Sequence, residues 1–253
     1  MRKAWAVFLL FAPAALLVPT VEPAQWKTPW SYDGPSGPEH WASLDPAYAA
    51  CAGKQQSPID IRNATPAALA PLRLKFKNGP LTIVNNGYTA VRVDYPSGNG
   101  NLMFAGSDRY ELTQFHFHHP SEEQIDGKPS DMGIHFMFRG SDGKIAGVAV
   151  LLKAGRPNAA IRELWKYMPR VAARENEIPG VRMNPAALLP RDTSYYTYMG
   201  SITAPPCTEG VKWFVLKTPL QTSREQINAF ATLYPHDVRP PQPLKGRVVL
   251  ESQ

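Results

Sequence analysis

Apolar and polar residues alternate in short runs along most of this chain. Leu72-Arg73-Leu74-Lys75-Phe76 repeats every two positions, as a half-buried strand does. Leu81 to Val84 and Ala90 to Val93 predict two further strands, separated by the turn signal Asn85-Asn86-Gly87. Tyr110 to His118 and Gly133 to Arg139 predict another pair, joined by a polar stretch containing Asp126-Gly127. Ile145 to Lys153 is almost continuously apolar, the pattern of a central strand buried on both faces. Trp213 to Leu216 and Arg247 to Leu250 add two more. Helical spacing occurs at Asn158 to Met168, through Ile161, Leu164, Trp165 and Met168, and at Ser223 to Leu233. The second of these opens with Ser223 and has Gln226 three places on, a capping-box pattern, and Pro235 stops it. Residues 25–58 are rich in Trp, Tyr, Gly and Pro without a period, and read as an ordered irregular segment wrapped on the domain. The pattern predicts one mainly β domain with a few helices.

Composition agrees with this picture. The 253 residues are 43% apolar and 10% aromatic, with 26 prolines and 18 glycines, which excludes a disordered chain and favours short strands and turns. At the N-terminus, Arg2 and Lys3 precede an apolar run from Ala4 to Val18 that Pro13 interrupts. This reads as a secretory signal; an uncleaved anchor is the competing reading, for which the run is short and early. A cut after Ala24 defines a mature domain of residues 25–253, although Glu22 then occupies a position where a small residue is preferred. No other stretch is apolar enough to cross a bilayer, so the expectation is a soluble mature chain, periplasmic or secreted. Losing Arg2, Lys3 and Glu22 with the leader takes the net charge from +6 to +5, spread along the chain. No basic run interleaves with aromatics, which argues against a nucleic-acid partner.

Export changes how the two cysteines read. In an oxidising compartment an even pair, Cys51 and Cys207, favours a disulfide over two free thiols. Neither lies beside a histidine or another cysteine, which argues against a zinc site built on them.

Six histidines are present, and three lie in Gln114-Phe115-His116-Phe117-His118-His119. Residues two apart on a strand point to one face, so His116 and His118 face together, with Phe115 and Phe117 behind them. His135, in Met132-Gly133-Ile134-His135-Phe136, comes beside them if the two strands pair antiparallel. Three imidazoles on a rigid sheet suit zinc, with a coordination position left open as in a catalytic site. The same spacing also fits histidines that are merely packed and hydrogen-bonded.

Motifs along the rest of the chain resemble the alpha-class carbonic anhydrases, particularly bacterial secreted members. They run in order from about Trp30 to Arg247: Trp30-Ser31-Tyr32, Gly37-Pro38 and His40-Trp41; Cys51 with Gln56-Ser57-Pro58-Ile59-Asp60-Ile61; Asn85-Asn86-Gly87; Gln114 to His118 and His135; Tyr198 to Glu209; and Arg239-Pro240 with Gln242-Pro243-Leu244. The resemblance implies a large, twisted, mostly antiparallel central sheet of about ten strands with a few peripheral helices, and a zinc ion at the bottom of a conical cleft, held by His116, His118 and His135. It implies a Cys51–Cys207 disulfide. It implies reversible hydration of carbon dioxide to bicarbonate and a proton, by attack of a zinc-held hydroxide. Thr203 and Glu122 match the pair that orients that nucleophile. Ile202, Met137, Gly147 and Ala204 would line the substrate pocket, and Gln114 would hold the outer nitrogen of His116. A noncatalytic binding module of the same family is the competing reading, although such relatives usually lose zinc histidines. A zinc carrier would favour exposed His-rich tracts, which the sequence lacks. Oligomeric state stays open, a homodimer included.

Five positions depart from the family pattern. Tyr88 follows the Asn-Gly turn where fast relatives carry a proton-shuttling histidine. Gly133 stands where many relatives carry a glutamate that holds the third zinc histidine, so a loss of metal affinity or activity is expected unless another group substitutes. Glu123 stands where relatives often have histidine. Gly147 replaces a common valine, which is expected to widen the apolar pocket unless a neighbour fills it. Ala204, at a variable position, replaces a common threonine near the metal.

Overall fold

The computed structural model describes residues 28–87, 91–171 and 174–253, the side chains of 174–176 excepted. Both the leader and Tyr88 lie outside these residues.

Sixteen strands occur among the described residues: β1 (Asp60–Ile61), β2 (Thr65–Ala67), β3 (Leu72–Lys75), β4 (Gly79–Asn85), β5 (Val91–Asp94), β6 (Leu102–Ala105), β7 (Asp108–His118), β8 (Gln124–Ile125), β9 (Lys128–Pro129), β10 (Met132–Gly140), β11 (Ile145–Ala154), β12 (Arg174–Met183), β13 (Tyr195–Ser201), β14 (Glu209–Leu216), β15 (Leu220–Thr222) and β16 (Leu250–Ser252). Three short α-helices accompany them: α1 (Trp41–Leu44), α2 (Ala159–Lys166) and α3 (Arg224–Ala231). The main sheet runs β12-β4-β5-β7-β10-β11-β14-β13-β16-β2, with β3, β6 and β15 attached at its sides. Most neighbours are antiparallel, but β11 pairs parallel with β14 and with β15, and β16 pairs parallel with β2, so the sheet is mixed. A small second sheet, β1-β8-β9, sits beside it.

The strands follow the apolar pattern. Alternation along β7 puts Phe115 and Phe117 into the main core with Ile134, Phe136 and Phe138 of β10. The continuous apolar run of β11 is buried on both faces: Val148, Val150 and Leu152 enter that core, while Ala149 faces a second cluster with Ile59, Ile61, Val211 and Trp213. α2 and α3 cover the back of the main core and end earlier than their periodicity predicts. Asn158 caps α2 through bonds from the Ala160 and Ile161 amides, and Trp165 packs on Phe117 with ring centroids 4.7 Å apart. The expected capping box of α3 is present at Ser223 and Gln226. The strand expected over Arg247 to Leu250 instead begins at Leu250, because Arg247 turns back to bond the carbonyls of Pro243, Leu244 and Met199. The sequence pattern does not predict the short β1, β2, β8, β9 and β15, nor β6, β12 and β13; β12 carries little apolar alternation, and β13 lies within a polar-aromatic stretch that reads as loop.

The irregular N-terminal segment forms a third cluster. Trp30, Tyr32, Trp41 and Tyr48 pack on one another and on the Cys51–Cys207 disulfide, with the Trp30 and Trp41 rings 5.2 Å apart. The bridge joins positions 156 residues apart. Restricting the unfolded chain over such a loop contributes about 5 kcal/mol in the chain-entropy treatment. Cys207→Ser is therefore expected to lower unfolding free energy by a few kcal/mol, up to about 5. Urea titration of the oxidised wild type and the variant measures it, and a loss below about 1 kcal/mol would show that the aromatic cluster holds without its bridge.

Candidate metal centre

β7 and β10 pair antiparallel with His135 opposite His116 and Gly133 opposite His118. The three imidazoles therefore share one face, backed by the phenylalanine core. Their ring centroids lie 4.8, 5.4 and 4.6 Å apart, and one ligating atom from each falls within 4.8 Å of the others. His118 and His135 are buried, and His116 opens onto the cleft.

Each ring is fixed through its outer nitrogen. His116 Nδ1 donates to Gln114 Oε1 at 2.8 Å, and His118 Nδ1 donates to the Asp237 carbonyl at 2.9 Å. His135 uses Nε2, which lies 3.0 and 2.9 Å from the two carboxylate oxygens of Glu123. The atoms left facing inward are His116 Nε2, His118 Nε2 and His135 Nδ1. The last two are buried and make no hydrogen bond. A buried polar atom without a partner is costly, so these nitrogens fit a cation that accepts their lone pairs. Nitrogen donors converging from three sides suit a borderline metal such as zinc.

Burial, followed by repulsion from neighbouring imidazolium charge, holds His116 and His118 well below the ordinary histidine pKa, so both are neutral donors at pH 7. Burial acts the same way on His135, but the Glu123 and Glu122 carboxylates outweigh it and raise its pKa. Glu122 is raised to about 7, chiefly by burial, against the opposing effects of His135 and the Arg239 amide. Its Oε1 accepts from the Arg239 amide at 2.8 Å, while Oε2 lies 3.6 Å from His118 Nε2 and 3.7 Å from His135 Nδ1. Thr203 is buried beside it, and its side chain acts on the Glu122 carboxyl in the sense that lowers the pKa.

The histidines form the floor of a 550 Å³ cleft. Thr203, Ile202, Ala204 and Met137 line it, together with Trp30, Arg92, Ile145 and Trp213. Gly147 does not widen the cleft. A Cβ there would lie 2.5 Å from the Trp213 ring, so the indole occupies the space a larger residue would take, and packs tilted against His135 with ring centroids 4.7 Å apart. Sequence reasoning missed Arg92, which forks onto Asp94 two residues along its strand, and Asp237, which contributes a backbone carbonyl and so leaves no side-chain signature. Trp213 was read only as part of a strand.

The eukaryotic-type carbonic anhydrase family matches residues 36–253. A carbonic anhydrase of Pectobacterium atrosepticum is 40% identical over 225 residues, 87% of this chain and 90% of that protein. The structure of an alpha-carbonic anhydrase from Thermovibrio ammonificans in complex with the inhibitor sulfanilamide superposes with a TM-score of 0.84 at 38% identity, covering 88% of this chain and 99% of that one. Dioscorin, solved in complex with ascorbate, superposes with a TM-score of 0.82 at 32% identity over 88% of this chain and 97% of its own.

The packing of Trp213 over Gly147 yields a test. Gly147→Val pushes the indole off His135, and overpacking of this kind costs about 1–3 kcal/mol. Thermal unfolding should register that loss, and tryptophan near-UV dichroism should change with it. Unchanged values in both would show that the ring does not depend on the glycine.

Proposed function

The chain belongs to the alpha carbonic anhydrase family, and on that premise we propose that it reversibly hydrates carbon dioxide at a zinc ion held by His116, His118 and His135. One observation carries the reading: the outer nitrogen of every imidazole is occupied by an acceptor, so all three inward nitrogens are free for one metal. Bound zinc supplies a Lewis acid that makes hydroxide available near neutral pH, an effect for which carbonic anhydrase is the standard case.

The chain's own residues do the rest. Glu122, anchored by the Arg239 amide, would accept a hydrogen bond from the Thr203 hydroxyl. The Thr203 oxygen is then left as an acceptor, which selects the orientation of a nucleophile at the cleft floor. Ile202, Met137 and Trp213 present an apolar wall where carbon dioxide sits without competing for hydrogen bonds. Gln114, as a neutral acceptor, keeps the His116 proton on Nδ1. Tyr88 replaces the histidine shuttle; with a usual pKa of about 10 it exchanges protons poorly at neutral pH.

Export to the periplasm or beyond completes the proposal. It rests on the apolar N-terminal run and is consistent with the Cys51–Cys207 bridge. No helix of the described residues is long and apolar enough to cross a membrane. The likeness to dioscorin favours one alternative, a family member that binds a small organic acid in the cleft without hydrating carbon dioxide. Three intact histidines with Thr203 and Glu122 favour catalysis over it.

Stopped-flow hydration by the mature chain tests the reading. Zinc-loaded protein should hydrate carbon dioxide and be inhibited by a sulfonamide, and His118→Ala should lose both zinc and activity. A fully zinc-loaded wild type without hydration would sink the enzyme reading, and full zinc occupancy in His118→Ala would refute the ligand set. Because Tyr88 is a weak shuttle, turnover should also climb with added imidazole buffer; a fast rate indifferent to imidazole would contradict that.

A further inference from the structure

Gly133 and Glu123 are two departures from the family pattern that meet at one imidazole. Gly133 lies on β10 two residues before His135, on the same face, and has no side chain to offer it. A Cβ at Gly133 would lie 3.3 Å from both Cα and Cβ of Ser121 and 3.9 Å from the Glu122 amide. The segment 119–123 therefore runs tight against the bare backbone of β10, a close approach of the kind glycine permits. Ser121 fixes that turn. Its amide donates to the Ser130 carbonyl at 3.0 Å, its hydroxyl donates to the Glu123 carbonyl at 2.8 Å, and the Ser130 amide donates to its Oγ at 2.8 Å. Held this way, the Glu123 side chain is fully buried; its Oε2 accepts from His135 Nε2 at 3.0 Å, and its Oε1 lies 2.9 Å from the same nitrogen.

We infer that Glu123 is the positioning residue of His135, replacing from the loop the glutamate that this chain lacks on the strand, and that Gly133 is the vacated side of the same exchange. The inference rests on the zinc reading above. Glu123 pins the proton of His135 to Nε2 and leaves Nδ1 to the metal. The other two histidines have neutral outer partners, an amide oxygen and a backbone carbonyl. His135 alone has a carboxylate hydrogen-bonded to its outer nitrogen, whereas the Asp237 carboxylate stays 3.9 Å from His118 Nδ1, so the close anionic contact sits here. Filling position 133 displaces Ser121 and with it Glu123, which makes the two positions energetically coupled.

Zinc affinity by chelator competition tests this independently of turnover, with Glu123→Ala, Glu123→Gln, Gly133→Ala and the double variant Glu123→Ala/Gly133→Ala. Glu123→Ala should raise the zinc dissociation constant about 10–100-fold. Glu123→Gln, of the same size and still able to accept from Nε2, should lose less and keep the wild-type 15N tautomer pattern of His135, while Glu123→Ala should mix tautomers. Gly133→Ala should weaken zinc binding in the wild-type background and add little to Glu123→Ala. Wild-type zinc affinity in Glu123→Ala, or an unchanged His135 tautomer there, overturns the role of Glu123 and leaves the zinc site standing. Should Glu123→Ala fail to fold, Glu123→Gln carries the test: loss of the wild-type His135 tautomer pattern in that variant overturns the role of Glu123, since the conservative side chain must keep the orientation. A wild type that binds no zinc removes the zinc reading and this inference together.

Discussion

The hydrogen-bond ladder between β7 and β10 places His135 opposite His116, and the entire site depends on that register. Side chains alternate along a strand, so a slip of one residue would turn His135 into the core and bring Ile134 or Phe136 onto the cleft. Hydrophobic burial makes the slip prohibitive. Phe115, Phe117, Ile134 and Phe136 are all fully buried on the far face, and each large side chain contributes roughly 1.5–3 kcal/mol by leaving water. The histidine face carries no such driving force of its own. Its polar residues are positioned by the apolar ones behind them. A register irregularity between Met137 and Phe138 falls just beyond His135, where it alters the far end of the ladder without disturbing the histidine pair.

A polar face buried this deeply needs internal partners. Arg239 supplies most of them at one side. Its guanidinium, fully buried, donates to Gln56 Oε1 at 2.7 Å, to the Ser57 carbonyl at 2.9 Å and to the Cys51 carbonyl at 2.8 Å, and lies over the Trp41 ring at 5.4 Å. Burial lowers its pKa to about 10, against the opposing pull of Glu122 and Tyr32, so it remains charged at neutral pH. The same residue's amide holds Glu122. One arginine thus joins the aromatic N-terminal cluster and its disulfide to the carboxyl that faces the histidines. Removing a hydrogen-bond partner of a buried charge costs about 1–3 kcal/mol or more, which is why the N-terminal segment belongs to the site although it contributes few atoms to the cleft.

Much of this was legible in the sequence, for reasons that differ by residue. The histidine pair on β7 was readable because a period of two forces His116 and His118 onto one face and the phenylalanines onto the other. The α3 cap was readable because Ser223 and Gln226 interact locally. β12 and β13 were not, because pairing with a neighbour, rather than their own alternation, makes them strands. The parallel pairing of β11 with β14 was hidden for the same reason. At the cleft, Gly147 read as added space, and only the tertiary position of Trp213 shows the space filled. Gly133 read as a loss of support for His135, and only the path of segment 119–123 shows where the support comes from.

That exchange also changes what the third histidine depends on. A glutamate at position 133 would share a rigid strand with His135, two residues away. Glu123 instead hangs from a connection whose position is set by other contacts: the Ser121 bonds to Ser130, the Gln124 amide to the Ile59 carbonyl, and the parallel pairing of β8 with β1, where Gln124 stands opposite Asp60. β1 in turn follows directly on Gln56 and Ser57, which hold Arg239. The orientation of His135 is therefore tied through the loop to the N-terminal aromatic segment, whereas His116 is fixed by a neighbour on its own strand. Of the three imidazoles, His135 has the most electron-rich outer partner and the longest chain of supports behind it. Local strand order supplies His116 and His118 with their facing, and tertiary structure supplies His135 with its tautomer.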